Sequence, residues 1–210
     1  MIRRPPRSTQ GVSSAASDVY KRQIFMALVE SYMLPLGTKS PKFSLLNVLN
    51  NQNETLEELK GEKGTLIIFM CNHCPYVIHL LNGIIDTAKD FSKKGISTIA
   101  ISSNSIITHP EDGPKKMKEI AILKKFTFPY LYDKSQKVAK EFQAACTPDF
   151  YLFDDKLKLF YRGRYDMSRP GNEIPVSGDD LHKASDLMLQ KLSNSDVQYP
   201  SIGCSIKWNP

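Results

Sequence analysis

No run of apolar residues in this 210-residue chain approaches the roughly 18–20 needed to cross a bilayer, so no membrane partner is expected. Cysteine is scarce as well. The four present, at positions 71, 74, 146 and 204, are too few and too unevenly spaced to staple a small secreted scaffold. The chain is long enough to bury a core without such staples. A one-sided charge is also missing once the first residues are set aside. The formal net charge is +6, but Arg3, Arg4, Arg7, Lys21 and Arg22 against Asp18 supply four of those charges within residues 1–25. The remainder carries no basic stripe interleaved with aromatics, which argues against a nucleic-acid partner.

What is there divides into three parts. Residues 1–25, opening "MIRRPPRSTQGVSSAASDVYKRQ", are rich in Arg and Ser and poor in acids, as a transit peptide is. They are closer still to translated sequencing-adapter read-through. The expectation is a non-native, disordered leader, with Met26 as the natural start. A folded domain is expected over 26–192, and a tail over 193–210 that carries Cys204.

Within the domain, "FSLLNVL" (43–49) reads as a strand and "NNQNET" as a turn. "TLIIFM" (65–70) is continuously apolar, as a strand covered on both faces is, and "ISTIAIS" (96–102) is again a buried-type strand. From Pro75 the period changes: Val77, Leu80, Leu81, Ile84, Ile85, Ala88 and Phe91 recur at threes and fours, predicting a helix that Gly95 ends. Pro114 suits the first turn of another helix, "SQKVAKEFQA" (135–144) of a third and "DDLHKASDLMLQKL" (179–192) of a fourth. "DFYLFD" (149–154) and "KLFYRG" (158–163) make a hairpin. The tail shows no period. Alternating strands and helices followed by a hairpin and helix imply an α/β sandwich.

Chemistry concentrates in "CNHC", residues 71–74, where a strand hands over to a helix. A C-x-x-C beside alternating strands and helices reads as a redox pair. A helix starting at Cys71 would aim its unpaired amides and positive dipole end at that sulfur. Such surroundings lower a thiol from about 8.5 to roughly 3.5–7.5. The expectation is therefore Cys71 as nucleophile, Cys74 as resolving thiol and His73 as tuner of the pair. Two buried cysteines without chemistry, or a metal site, are the competing readings; a closed zinc site lacks its fourth ligand, and no metal is expected. A proline between helix and strand, as in "ACTPDFYLFD" (145–154), can take the cis form. A cis Thr147–Pro148 bond would turn the Thr147 backbone toward solvent, ready to pair with an extended substrate. Asp112, in "HPEDG" (109–113), is expected to cap the helix that follows.

"CNHC" after an apolar strand, with "TPDFYLFD" some seventy residues on, resembles the thioredoxin superfamily. "MLPLGTKSPKFSL", "FMCNHCPYV", "ISSNSIITHPEDGPKKM", "LFYRGRYD" and "QYPSIGCSIKW" extend the resemblance over 26–210 to its peroxiredoxin-like redoxin branch, related to AhpC/TSA. The resemblance implies a thioredoxin-like three-layer sandwich, a mixed central sheet with flanking helices and an N-terminal extension. It also implies Cys71 and Cys74 as the dithiol, with Thr147 and cis Pro148 as the substrate seat. Two departures stand out. Thioredoxins bury a carboxylate on the strand before the pair, and "TLIIFM" has none. Peroxiredoxins show P-x-x-x-T-x-x-C, where this chain has Ile67 and Cys71 in place of the proline and threonine. Their arginine falls near Thr147, leaving Arg162 or Arg164 as candidate electrostatic substitutes.

The function implied is a cytoplasmic thiol–disulfide oxidoreductase without cofactor. It would act on protein or small-molecule disulfides and draw electrons from a reductant such as thioredoxin or glutathione. One alternative is an antioxidant peroxidase that reduces hydroperoxides with Cys74. Another is a copper-binding module built on Cys71 and Cys74. Cys146 and Cys204 are a candidate second dithiol.

Overall fold

The structure, a computed structural model, describes residues 28–210. The leader expected at 1–25 lies outside the described residues. A seven-stranded sheet runs in the order β3-β2-β6-β5-β4-β8-β9. Its strands are β2 (Ser44–Asn47), β3 (Gln52–Thr55), β4 (Gly64–Phe69), β5 (Ile96–Ser102), β6 (Tyr130–Tyr132), β8 (Asp149–Asp154) and β9 (Leu159–Gly163). The three central strands β6, β5 and β4 are parallel; the pairings outside them are antiparallel. The hairpin expected at 149–163 is present as β8 and β9.

Alternation along the central strands explains the layers, because successive side chains point to opposite faces. Leu66, Ile68, Ala100, Phe150 and Leu152 face one side. There they meet helices α2 (Pro75–Lys94), α3 (Pro114–Leu123) and α5 (Asp179–Leu189). Ile67, Phe69, Ile99, Ile101, Tyr151 and Phe153 face the other. They pack on α1 (Leu56–Leu59) and α4 (Lys137–Glu141). Both faces being covered, β4 and β5 carry no charged residue and are almost wholly buried. Each fully buried Ile or Phe side chain contributes about 1.5–3 kcal/mol.

Helix α2 is the longest element and carries the site at its start. Its buried stripe is the one read from the sequence. Gly95 ends it at φ 84°, a left-handed position that glycine takes at little steric cost. The segment read as the turn "NNQNET" instead includes strand β3, held to β2 by Asn47 and Asn50 side chains donating to Glu54. A second sheet was not foreseen. It joins β1 (Leu28–Glu30), β10 (Ile202–Ser205) and β7 (Cys146–Thr147), all antiparallel.

Candidate active site

The parallel strands β4 and β5 end at Phe69 and Ser102, and the loops that follow them form the site. Met70 N–H donates to the Ile101 carbonyl at 2.9 Å, extending the ladder to the edge of the Cys71–Cys74 loop. The helix begins at Pro75, not at Cys71, and Cys74 is its N-cap. Proline has the right φ and no amide hydrogen to lose at the first helical position, so the chain turns helical there. The dipole therefore points at Cys74, and the expected helix start at Cys71 is corrected. Both sulfurs are buried, Cys71 at 1% and Cys74 at 0% exposure.

Burial opposes ionisation of Cys74, but hydrogen bonds from the Cys204 and Cys71 thiols and from the Val77 and Cys204 amides outweigh it. The Cys74 thiol is thus held far below the ordinary range. The Thr147 carbonyl oxygen, 3.1 Å from Cys74 Sγ, accepts from the protonated form. That contact opposes ionisation without reversing the downward shift. Cys71 is pushed well above the ordinary range, chiefly by its interaction with the Cys74 sulfur, then by burial and the Asp112 carboxylate. The two thiols are thus shifted in opposite directions, Cys74 down and Cys71 up.

Asp112 is the residue whose function the sequence reading missed. It ends a short turn of 3-10 helix, Pro110–Asp112, and Gly113 rather than Asp112 stands ahead of α3, with no side-chain cap. The carboxylate turns inward to full burial, accepting from Asn72 N–H and Asn104 Nδ2 at 2.8 Å each. His73 Nδ1 lies 2.8 Å from its Oδ2, although the N–H is not aligned along that line. Cys71 Sγ, a His73 nitrogen and an Asp112 oxygen all fall within 4.8 Å of one another, as do His73, His109 and Glu111 ligand atoms. Asp112 thus supplies from another loop the buried carboxylate that β4 lacks.

The Asp112 contact is the main cause that holds the His73 imidazolium above its ordinary 6.5, against the opposing effect of burial. Asp112 is lowered from 3.8: burial opposes this, and His73 and Asn104 outweigh it. The stabilisation from His73 is complete below 6.5 and fades as pH rises through the raised folded value; that from Asp112 fades as pH falls through its lowered one. The urea midpoint of His73→Gln is accordingly expected to trail the native protein most below the ordinary 6.5 of His73 and to converge with it as pH rises past the raised folded value. A gap that widens with pH would contradict the pairing.

The Thr147–Pro148 peptide is cis, as the sequence suggested. Thr147 Oγ1 lies 3.5 Å from Cys71 Sγ, which brings the cis-proline loop against the thiols. Its backbone does not face solvent, however. Strand β10 pairs with it, setting Cys204 opposite Thr147 and Ser205 opposite Cys146.

Neighbours along a strand point to opposite faces, so Cys146 and Cys204 are turned apart and the expected second dithiol is not assembled. Cys146 is buried against Ser31 Oγ at 3.8 Å and the Pro148 and Ser201 carbonyls. Cys204 packs instead against the cluster that includes Cys71 and Cys74. Neither nominated arginine serves the thiols. Arg162 is buried and ion-paired with Asp149, while Arg164 pairs with Asp180 and lies over the Tyr199 ring.

A family model described as AhpC/TSA matches residues 36–162. The chain belongs to the AhpC/TSA family. Among curated proteins none matches it. Two solved structures match nearly the whole described chain. An uncharacterized conserved protein from Geobacillus kaustophilus is 49% identical with a TM-score of 0.85, over 87% of this chain and 97% of that one. A hypothetical protein from Sinorhizobium meliloti 1021 is 38% identical with a TM-score of 0.83, over 86% and 98%. At 18% identity, the thioredoxin domain of a thiol-disulfide oxidoreductase from Bacteroides vulgatus shares the fold alone, with a TM-score of 0.57 over 75% and 99%. The fold is thioredoxin-like, and family and fold together support a thiol redox role. Among the described residues, no helix is long and apolar enough to cross a membrane.

Proposed function

We propose that the protein is a thiol–disulfide oxidoreductase whose attacking sulfur is Cys74. The observation that carries this reading is the N-cap position of Cys74, where the helix dipole favours a thiolate. In a disulfide R–S–S–R′, the Cys74 thiolate attacks one sulfur. A Cys74–S–R bond forms, and R′–S⁻ leaves and takes a proton from solvent. Cys71 then attacks Cys74 Sγ, closing the Cys71–Cys74 disulfide and releasing R–S⁻. The proton given up by Cys71 has the Asp112 carboxylate within reach and ends on the departing thiolate. A dithiol or glutathione reductant restores the pair. His73 supplies a positive charge next to Cys74, whose thiolate in turn helps to raise the His73 pKa.

Thr147 and Pro148 lie beside the reacting sulfurs, with the Thr147 backbone taken by β10. A peroxidase reading shares Cys74 as its reactive sulfur. Nothing at Cys74 favours it, since Arg162 and Arg164 are engaged elsewhere. In the disulfide scheme Cys71→Ser removes one resolving thiol and leaves the first attack intact. Incubated with a small aromatic disulfide, that variant is expected to release the first aromatic thiol at close to the native rate. An absent first release would overturn the role of Cys74. Rapid hydrogen peroxide consumption by native protein, with no aromatic thiol release, would favour the peroxidase instead.

A further inference from the structure

The C-terminal strand occupies the place that an extended substrate would need. Strand β10 is paired along β7, the two residues before cis Pro148, and Ile206 N–H continues the ladder to the Ala145 carbonyl at 3.1 Å. The approach is so close that a Cβ on Gly203 would collide with the Thr147 carbonyl oxygen; only glycine fits there. On its outer edge β10 is paired with β1, Leu28 opposite Cys204. Beyond it the tail is anchored. Lys207 N–H donates to Asn104 Oδ1 at 2.9 Å and Asn209 N–H to Gln136 Oε1 at 2.8 Å. Asn104 is the residue whose amide also donates to Asp112, so tail and buried carboxylate share one side chain.

Register then decides which side chain enters the site. Cys204 lies opposite Thr147, on the face where Thr147 Oγ1 meets Cys71. It packs against the cluster that holds Cys71 and Cys74, and the carbonyl oxygen of Thr147, the residue opposite it, lies 3.1 Å from Cys74 Sγ.

We propose that Cys204 is a third redox thiol, the disulfide partner of Cys74, delivered by a strand that acts as a built-in substrate. This rests on the reading of Cys74 as the attacking sulfur. After Cys74 has formed a mixed disulfide with R–S, Cys204 attacks Cys74 Sγ. The Cys74–Cys204 bond forms, the Cys74–S–R bond breaks, and R–S⁻ leaves with the proton that Cys204 gives up. Cys71 then exchanges with Cys204. The Cys71–Cys74 bond forms, the Cys74–Cys204 bond breaks, and the Cys204 thiolate takes up the proton from Cys71. Two electrons have passed to the substrate disulfide, and the protein ends with the Cys71–Cys74 disulfide in place of two thiols.

The test uses the full chain with a small aromatic disulfide as oxidant, acid quenching, alkylation and tryptic mass mapping. Cys71 and Cys74 fall in one tryptic peptide and Cys204 in another, so the two disulfides are distinguishable by mass. Cys71→Ser is expected to release both halves of the oxidant and to yield a Cys74–Cys204 cross-linked peptide. Cys71→Ser/Cys204→Ser is expected to release one half and to keep the other on Cys74. Gly203→Ala in the Cys71→Ser background keeps both thiols but unseats the strand, and the mixed disulfide is expected to outlive that of Cys71→Ser. If Cys71→Ser keeps the mixed disulfide with Cys204 alkylated, or if Gly203→Ala changes nothing, the inference is overturned. The Cys71–Cys74 reading stands in that case, provided Cys204→Ser still closes that disulfide. Failure of every Cys74-containing variant to release thiol overturns both.

Discussion

Replacing Cys74 by serine is expected to abolish disulfide reduction, with the rate of first attack falling by at least about 10³-fold, equivalent to about 4 kcal/mol of barrier. The size follows from the position. Cys74 is the N-cap of a 20-residue helix, and its surroundings hold its thiol below the ordinary range. Serine is a favoured N-cap and would preserve the helix, so the loss reads chemistry rather than stability. The contrast with Cys71→Ser makes the experiment decisive, since that variant retains the attacking thiolate and loses only a resolving partner. Stopped-flow release of the first aromatic thiol measures both. Equal loss in the two variants would mean that the thiols act only as a unit, and loss in Cys71→Ser alone would return the nucleophile to Cys71.

The distinction between the two thiols was legible in the chain, in Pro75. Proline at the first helical position makes the residue before it the N-cap, and that signal names Cys74. Reading the helix as starting with the first cysteine passed over it. The apolar runs of β4 and β5 and the stripe of α2 were readable for a different reason. Each is a local pattern whose period is set by burial on two faces or one, and no distant residue is needed to interpret it.

What was not readable depends on distant partners. β1, β7 and β10 are short strands of two to four residues drawn from the beginning, middle and end of the described chain. None has a period to detect. Their pairing turns Cys204 toward Cys74 and away from Cys146, because a strand's alternation fixes the face only once register is known. Asp112 is hidden similarly. An acid just before a helix suggests a cap. Only the descent of the Pro110–Asp112 turn beneath Asn72 and His73 shows that the carboxylate belongs to the thiols. Because Asn104 holds Asp112 with its amide nitrogen and the tail with its oxygen, releasing the tail would remove a support of that carboxylate as well as Cys204.

Breaking the Arg162–Asp149 pair is expected to cause the largest loss of stability, about 3–5 kcal/mol for Arg162→Met, read as a fall in the urea midpoint at neutral pH. Both side chains are fully buried. The guanidinium meets both carboxylate oxygens, with Nη2 2.9 Å from Oδ2 and the plane stacked 3.9 Å over the Tyr151 ring. Ser31 Oγ donates to Oδ1 at 2.7 Å and Ala145 N–H to Oδ2 at 3.3 Å, so the carboxylate ties the start of the described chain to the segment entering β7. Methionine would fill much of the space left by the arginine stem but would leave an anion in the core without its cation, and that uncompensated charge dominates the cost. The double variant Arg162→Met/Asp149→Asn removes both charges and is expected to lose less than the sum of the single changes. Additive losses would mean that the pair contributes packing alone. Asp149 directly follows cis Pro148, so the same anion that steadies the fold also fixes the end of the loop carrying Thr147 to the reacting sulfurs.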